Sequence, residues 1–228
     1  MYRYENFCTV SEEVCIKSII MSLENQDIFL LPPEKIRELF KNGLVSPFSI
    51  TSFGWPLIHE AVFEGEIEKV CVLLEFGVDV NTQSDEKDED PRTPLEVAVF
   101  NTHPYCRFET VKFLLENGAD PNIVNPVTGE SVLQLACRSG SVAHDIIELL
   151  VNYGADPLHN DYKNMNALSY SIFYRDVRTA NLLVEQGASS DANSVVDNLS
   201  IMQYAEQQRK HLVPMLSGEL SKTTFSRV

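Results

Sequence analysis

The side chains that most often perform chemistry are present in this chain but thinly spread. His103 and Cys106 stand three residues apart, a spacing that suits two ligands of one zinc ion. A structural zinc site takes four ligands, however, and no CxxC pair occurs anywhere. Gly129 is alone in its loop, so no glycine-rich cradle for a phosphate is formed. Neither H-E-x-x-H nor G-x-S-x-G is found. Aspartates and glutamates are plentiful, yet no two stand out as a general acid and a general base. Cys71, between Val70 and Val72, reads as a small core residue rather than a nucleophile. The residues therefore point away from an enzyme. No catalytic residue, metal ligand or cofactor (none is expected) can be named.

The composition narrows the partners. Of 228 residues, 33 are acidic and 18 basic, giving a formal charge of −15. Such a surface repels phosphate backbones, so nucleic acid and anionic membranes are not expected partners. No apolar run approaches the roughly 20 residues of a membrane span. The opening residues, Met1 to Asn6, lead into no apolar stretch and do not read as a secretory signal. An odd count of 5 cysteines suits reduced thiols, hence a cytoplasmic location; a monomer is also expected. With 44% hydrophobic residues the chain is rich enough to build a core.

What must position any functional side chain is a repeat. Leu73-Leu74, Leu114-Leu115, Leu150-Val151 and Leu183-Val184 each precede a glycine by three residues, at Gly77, Gly118, Gly154 and Gly187. A fainter copy ends at Gly43. The intervals from Gly43 onward are 34, 41, 36 and 33 residues, a period of 33 with small insertions. Upstream of each leucine pair lies a short apolar segment with a small residue: Ala61, Ala98 or Ala136, and Ser171 in the fourth copy. Thr93 precedes Pro94 as an N-cap precedes the first turn of a helix. Each glycine supplies the left-handed stop of the second helix, and the Asp and Asn that follow supply a turn. One unit is helix, tight turn, helix, extended loop. It cannot bury its apolar face alone, so neighbours must stack.

These copies resemble the ankyrin-repeat family. Gly54-Trp55-Pro56-Leu57-Ile58-His59-Glu60-Ala61-Val62 parallels its first-helix motif, and Gly118-Ala119-Asp120-Pro121-Asn122 its loop motif. The resemblance implies an all-α, right-handed solenoid of stacked helix-turn-helix units with hairpin loops, four to five repeats over roughly residues 33–216. The expected divisions are an N-terminal helical cap with a partial repeat (1–50, with one helix at 11–23 and another at 33–42), repeats (51–193), a C-terminal capping repeat (194–216) and a flexible tail (217–228). It further implies that His59 ties neighbouring hairpin loops by a hydrogen bond. The function implied is binding of a partner protein in the concave groove and on the hairpin tips. A substrate-recruiting adaptor, or a secreted bacterial effector working in a host-cell cytosol, is the alternative.

By the same resemblance the groove positions are Phe53, Trp55, Phe63 and Glu64 in the first full unit, and Asp90, Arg92, Phe100 and Asn101 in the second. The third contributes Thr128, Glu130, Arg138 and Ser139; the fourth contributes Tyr162, Lys163, Met165, Phe173 and Tyr174. Seven of these are aromatic, against 9% aromatic residues overall, and exposed aromatics with arginine typify binding hot spots. Phe63, Phe100 and Phe173 either face the groove or turn inward between units. Arg92, Arg138 and Lys163 suggest a partner with an apolar anchor beside a carboxylate.

The longest interval carries an acidic insertion, Asp85, Glu86, Asp88, Glu89 and Asp90, with Lys87 among them. It reads either as a solvated loop or as a docking strip for a basic segment, which would add on-rate more than affinity. Ser226-Arg227-Val228 resembles a C-terminal ligand of PDZ domains, and Leu31 to Ile36 faintly resembles the start of an F-box, although a helical cap accounts better for the latter.

Overall fold

A computed structural model describes residues 27–51, 54–84, 90–100, 104–139, 144–188, 195–196 and 199–200. The helix expected at 11–23, the terminal unit at 201–216 and the tail lie outside the described residues. After a 3-10 turn at Asp27–Leu30, the described helices are α1 (Pro33–Lys41), α2 (Leu57–Phe63), α3 (Ile67–Glu75), α4 (Pro94–Phe100), α5 (Pro104–Glu116), α6 (Val132–Arg138), α7 (His144–Asn152), α8 (Ala167–Phe173) and α9 (Val177–Glu185). An antiparallel ribbon pairs Val195–Val196 with Leu199–Ser200.

The helices form two layers. The short first helices stack in chain order, α2 on α4, α4 on α6 and α6 on α8. Behind them α1 packs on α3, α5 on α7 and α7 on α9, while each first helix packs on its own second helix. The core lies between the layers. Leu73, Leu114, Leu150 and Leu183, the first residues of the four pairs, are all buried. Facing them are Leu57, Leu95, Leu133 and Leu168 from the first helices. Ala61, Ala98 and Ala136 are fully buried where the layers meet, and so is Ser171, whose hydroxyl donates to the Ala167 carbonyl at 3.0 Å. That bond satisfies the one polar group the fourth unit adds at this position. Phe40 and Phe76 meet edge to face at 5.3 Å where α1 packs on α3.

Caps fix where the first helices begin. Thr93 and Glu96 form a reciprocal pair: Glu96 Oε2 accepts the Thr93 amide at 2.7 Å, and Thr93 Oγ1 accepts the Glu96 amide at 3.2 Å. Ser131 with Gln134 repeats the arrangement, and Asn166 Oδ1 accepts the Ser169 amide at 2.8 Å. Second helices end at Gly77, Gly118, Gly154 and Gly187, all at positive φ.

Candidate functional site

The repeat places four residues at one register position, two residues ahead of α2, α4, α6 and α8: Trp55, Arg92, Glu130 and Met165. Eight residues on, the last residue of each helix is Phe63, Phe100, Arg138 or Phe173. These two positions meet along the inner face of the stack, and each unit fills them with different chemistry. Trp55 and Phe63 meet edge to face, centroids 5.8 Å apart. The Arg92 guanidinium lies over the Phe100 ring, 4.4 Å from its centroid. Glu130 and Arg138 form an ion pair at 3.3 Å. In the fourth unit Phe173 packs instead against Tyr174, centroids 5.1 Å apart.

Between the first two units a cleft of about 290 Å3 opens, walled by Trp55, His59, Phe63, Arg92, Val97 and Phe100. His59 is fully buried at its floor. Its Nε2 lies 2.7 Å from the Arg92 carbonyl and donates to it, joining the first hairpin to the second as the motif implied. Ser84 completes the join: its amide donates to the same carbonyl at 2.9 Å, and its hydroxyl accepts the Arg92 amide at 3.0 Å. Arg92 Nε donates to Asp90 Oδ2 at 2.9 Å, and Nη2 contacts the same oxygen. Asn125 of the third unit donates to Asp90 Oδ1 at 2.7 Å.

Phe63, Phe100 and Phe173 face outward, at 36%, 53% and 36% exposure, so they do not turn inward to fill the core between units. Tyr162 and Tyr174 are exposed as well, and Trp55 is half-buried. Two expected groove residues are not on the surface. Met165 is buried in the core, and its backbone is held on both sides: its amide donates to Asp161 Oδ1 of the same hairpin at 2.9 Å, and its carbonyl accepts Gln134 Nε2 of the preceding unit. Glu130 is buried beneath Arg138, and one of its carboxylate oxygens has no hydrogen-bond partner. Burial pushes its carboxyl up in pKa despite the opposing pull of Arg138. The arginines that were to receive a carboxylate are already paired, Arg92 with Asp90 and Arg138 with Glu130. Cys71 is half-exposed rather than a core residue; Cys137 is buried, and desolvation pushes its thiol up to about 12.

Phe53, His103, Asn101 and the acidic positions Asp85, Glu86, Asp88 and Glu89 lie outside the described residues. Asp90, at the end of that run, is bound to Arg92 and Asn125 as given above. Among the described residues no group of three or more His, Cys, Asp or Glu is placed to hold a metal, and no helix is long and apolar enough to cross a membrane.

Two contacts escaped the sequence reading. Gly129, dismissed as an isolated glycine, carries φ +69° beneath the Tyr162 ring; a Cβ built there would lie 2.6 Å from the ring. Asn81 and Asn122 are more than turn residues. Asn81 accepts the Asp120 amide at 2.8 Å and donates to the Gly118 carbonyl at 3.3 Å; Asn122 does the same to Asp156 and Gly154 at 2.9 and 3.0 Å. Their recurrence four residues after a motif glycine was the available signal.

Stacked two-helix units presenting one open, side-chain-lined face define a repeat scaffold. The comparison with known families agrees: the ankyrin-repeat description, in three copies, matches residues 33–125 and 105–194, and the chain belongs to the ankyrin-repeat family. Among its relatives, an ankyrin repeat-containing protein of Treponema pallidum (strain Nichols) is 32% identical over 54% of this chain and 38% of its own length. Ankyrin repeat domain-containing protein 63 of Homo sapiens is 37% identical over 43% of this chain and 24% of its own. Protein phosphatase 1 regulatory subunit 27 of Homo sapiens is 29% identical over 40% of this chain and 54% of its own. The matched stretch thus spans about a quarter to about half of these relatives.

Proposed function

We propose that this chain is a protein-interaction module that holds a partner protein in the groove running from Trp55 to Tyr174. Membership of the ankyrin-repeat family supports an interaction module, as does similarity to a protein named as a phosphatase regulatory subunit. The observation that carries the groove reading is the outward row of Phe63, Phe100, Phe173 and Tyr174, flanked by Trp55 and Tyr162. A row of large aromatics left on one face by an otherwise well-filled core is the composition of a binding hot spot. The hairpin bonds of His59, Asn81, Asn122 and Gln134 hold these rings on a fixed frame, so little ordering entropy opposes binding. Residues 51–193 would form the body of the repeat array, with 1–50 and 194–216 as its caps. An adaptor that brings the bound protein to other machinery is the finer form of the same reading. The acidic run from Asp85 would serve it by steering a basic partner, both of its flanks, Ser84 and Asp90, lying in the cleft wall.

Affinity capture from cytosolic extract tests the proposal. Trp55→Ala and Tyr162→Ala should each deplete the specifically bound proteins, since truncating a hot-spot aromatic costs about 2 kcal/mol or more, roughly 30-fold in affinity. An unchanged set of captured proteins in both folded variants would refute it.

A further inference from the structure

We infer that the cleft between the first two units takes an extended partner segment that sets an apolar side chain against Trp55, Phe63 and Phe100 and a lysine or arginine next to it on Glu60 and Glu64. This rests on the groove reading above and names the chemistry of its occupant. Much of the polar chemistry of the cleft wall is engaged within the fold: His59 Nε2 and Ser84 with the Arg92 backbone, and the Arg92 guanidinium with Asp90. A cleft of about 290 Å3 sits at the small end of ligand sites, the size for a side chain rather than a cofactor.

The charge around the cleft decides what accompanies that side chain. The nearby arginines are neutralised within the fold, Arg92 by Asp90 and Arg138 by Glu130. Glu60 and Glu64 are not. They share the outward side of α2 with Phe63, four residues apart, and neither has an ion pair or a side-chain hydrogen bond among the described residues. Like charges one turn apart oppose each other, and Glu64, at the C-cap of α2, also meets the negative end of the helix. Desolvation, and then the charge of Glu64, push the Glu60 carboxyl up in pKa, which agrees with the geometry. A cation placed here relieves both repulsions. A carboxylate-bearing partner finds the arginines occupied and two acids in its way, so the structure reverses the preference suggested by Arg92 and Arg138 in the sequence. The chain's net charge of −15 likewise favours the approach of a basic segment.

The probe is a random dodecapeptide phage library selected in parallel on the full chain, on Trp55→Ala and on the Glu60→Gln/Glu64→Gln double variant, each checked for folding by circular dichroism. The wild type should enrich peptides with Leu, Ile, Met or Phe within a few residues of Lys or Arg. The double variant should keep the apolar preference and lose the basic one. A synthetic copy of an enriched peptide should bind it about three- to tenfold more weakly than wild type, the yield of two exposed charge pairs. Enriched peptides that depend on Trp55 but carry acidic residues, or retain basic ones on the double variant, would overturn this inference and leave the groove reading standing. No enrichment, or enrichment indifferent to Trp55→Ala, would overturn both.

Discussion

Gly129→Ala separates backbone strain from side-chain crowding at one position. Gly129 has φ +69°, where a residue with a Cβ costs about 1–2 kcal/mol. Its added methyl would also sit 2.6 Å from Cδ1 and 2.7 Å from Cε1 of Tyr162, too close for any carbon contact. That ring is 72% exposed, so it can swing away and lose its seat rather than push the backbone apart. The crowding is therefore worth about 0.5–1 kcal/mol, the scale of an off-rotamer side chain. The single variant should lose roughly 1.5–3 kcal/mol in urea denaturation, and in the Tyr162→Ala background only the strain should remain. The expected coupling between the two positions is thus about 0.5–1 kcal/mol by a double-mutant cycle. Strict additivity would refute the account of Gly129 as the seat of Tyr162, and a loss under about 0.5 kcal/mol in both backgrounds would refute the strain as well.

Other outcomes follow from the same contacts. Asn122→Ala removes two hydrogen bonds between loops and should cost about 1–2 kcal/mol in chemical denaturation. The bond series stops at Leu158, which holds the same register position and is 52% exposed, so Leu158→Asn should reach toward the Gly187 carbonyl and raise stability by up to about 1 kcal/mol. Burial raises the Glu130 carboxyl above its ordinary 4.5, so the folded chain holds that proton more tightly than the unfolded one. Its contribution to stability is fully present below the ordinary value and lost as pH rises through the raised one. Glu130→Gln should accordingly gain on the parent between pH 4 and pH 7 in paired urea titrations, and a constant difference would refute the assignment. His59→Ala leaves the Arg92 carbonyl without its ring donor and should lower the melting temperature while loosening the first cleft, read as reduced quenching of Trp55 fluorescence.

Much of the architecture was legible because it is written in short-range chemistry. Leu73, Leu114, Leu150 and Leu183 recur ahead of glycines that must take positive φ, and a helix with one apolar stripe has to find a neighbour. Thr93 announced its helix because an N-cap acts within one turn. The candidate site was legible only as a set of positions. The family resemblance placed Trp55, Arg92, Glu130 and Met165 along one groove, but did not tell which of them a neighbouring unit covers. Met165 was read as exposed and is buried in the core, beside a bond to its carbonyl from Gln134, thirty-one residues away.

The sequence by itself determined the repeat and the helix pairs that must stack, since both depend on spacings of no more than 41 residues and on local backbone preference; the groove face came from the family resemblance, and packing decided that Phe63, Phe100 and Phe173 stay exposed. Tertiary structure alone decided which charges on that face are already matched. Arg92 pairs with Asp90, itself held by Asn125 from the next unit, while Glu60 and Glu64 are left without a counter-charge among the described residues. Electrostatic matching depends on distances of a few ångströms between units, and those are set only when the hairpins pack.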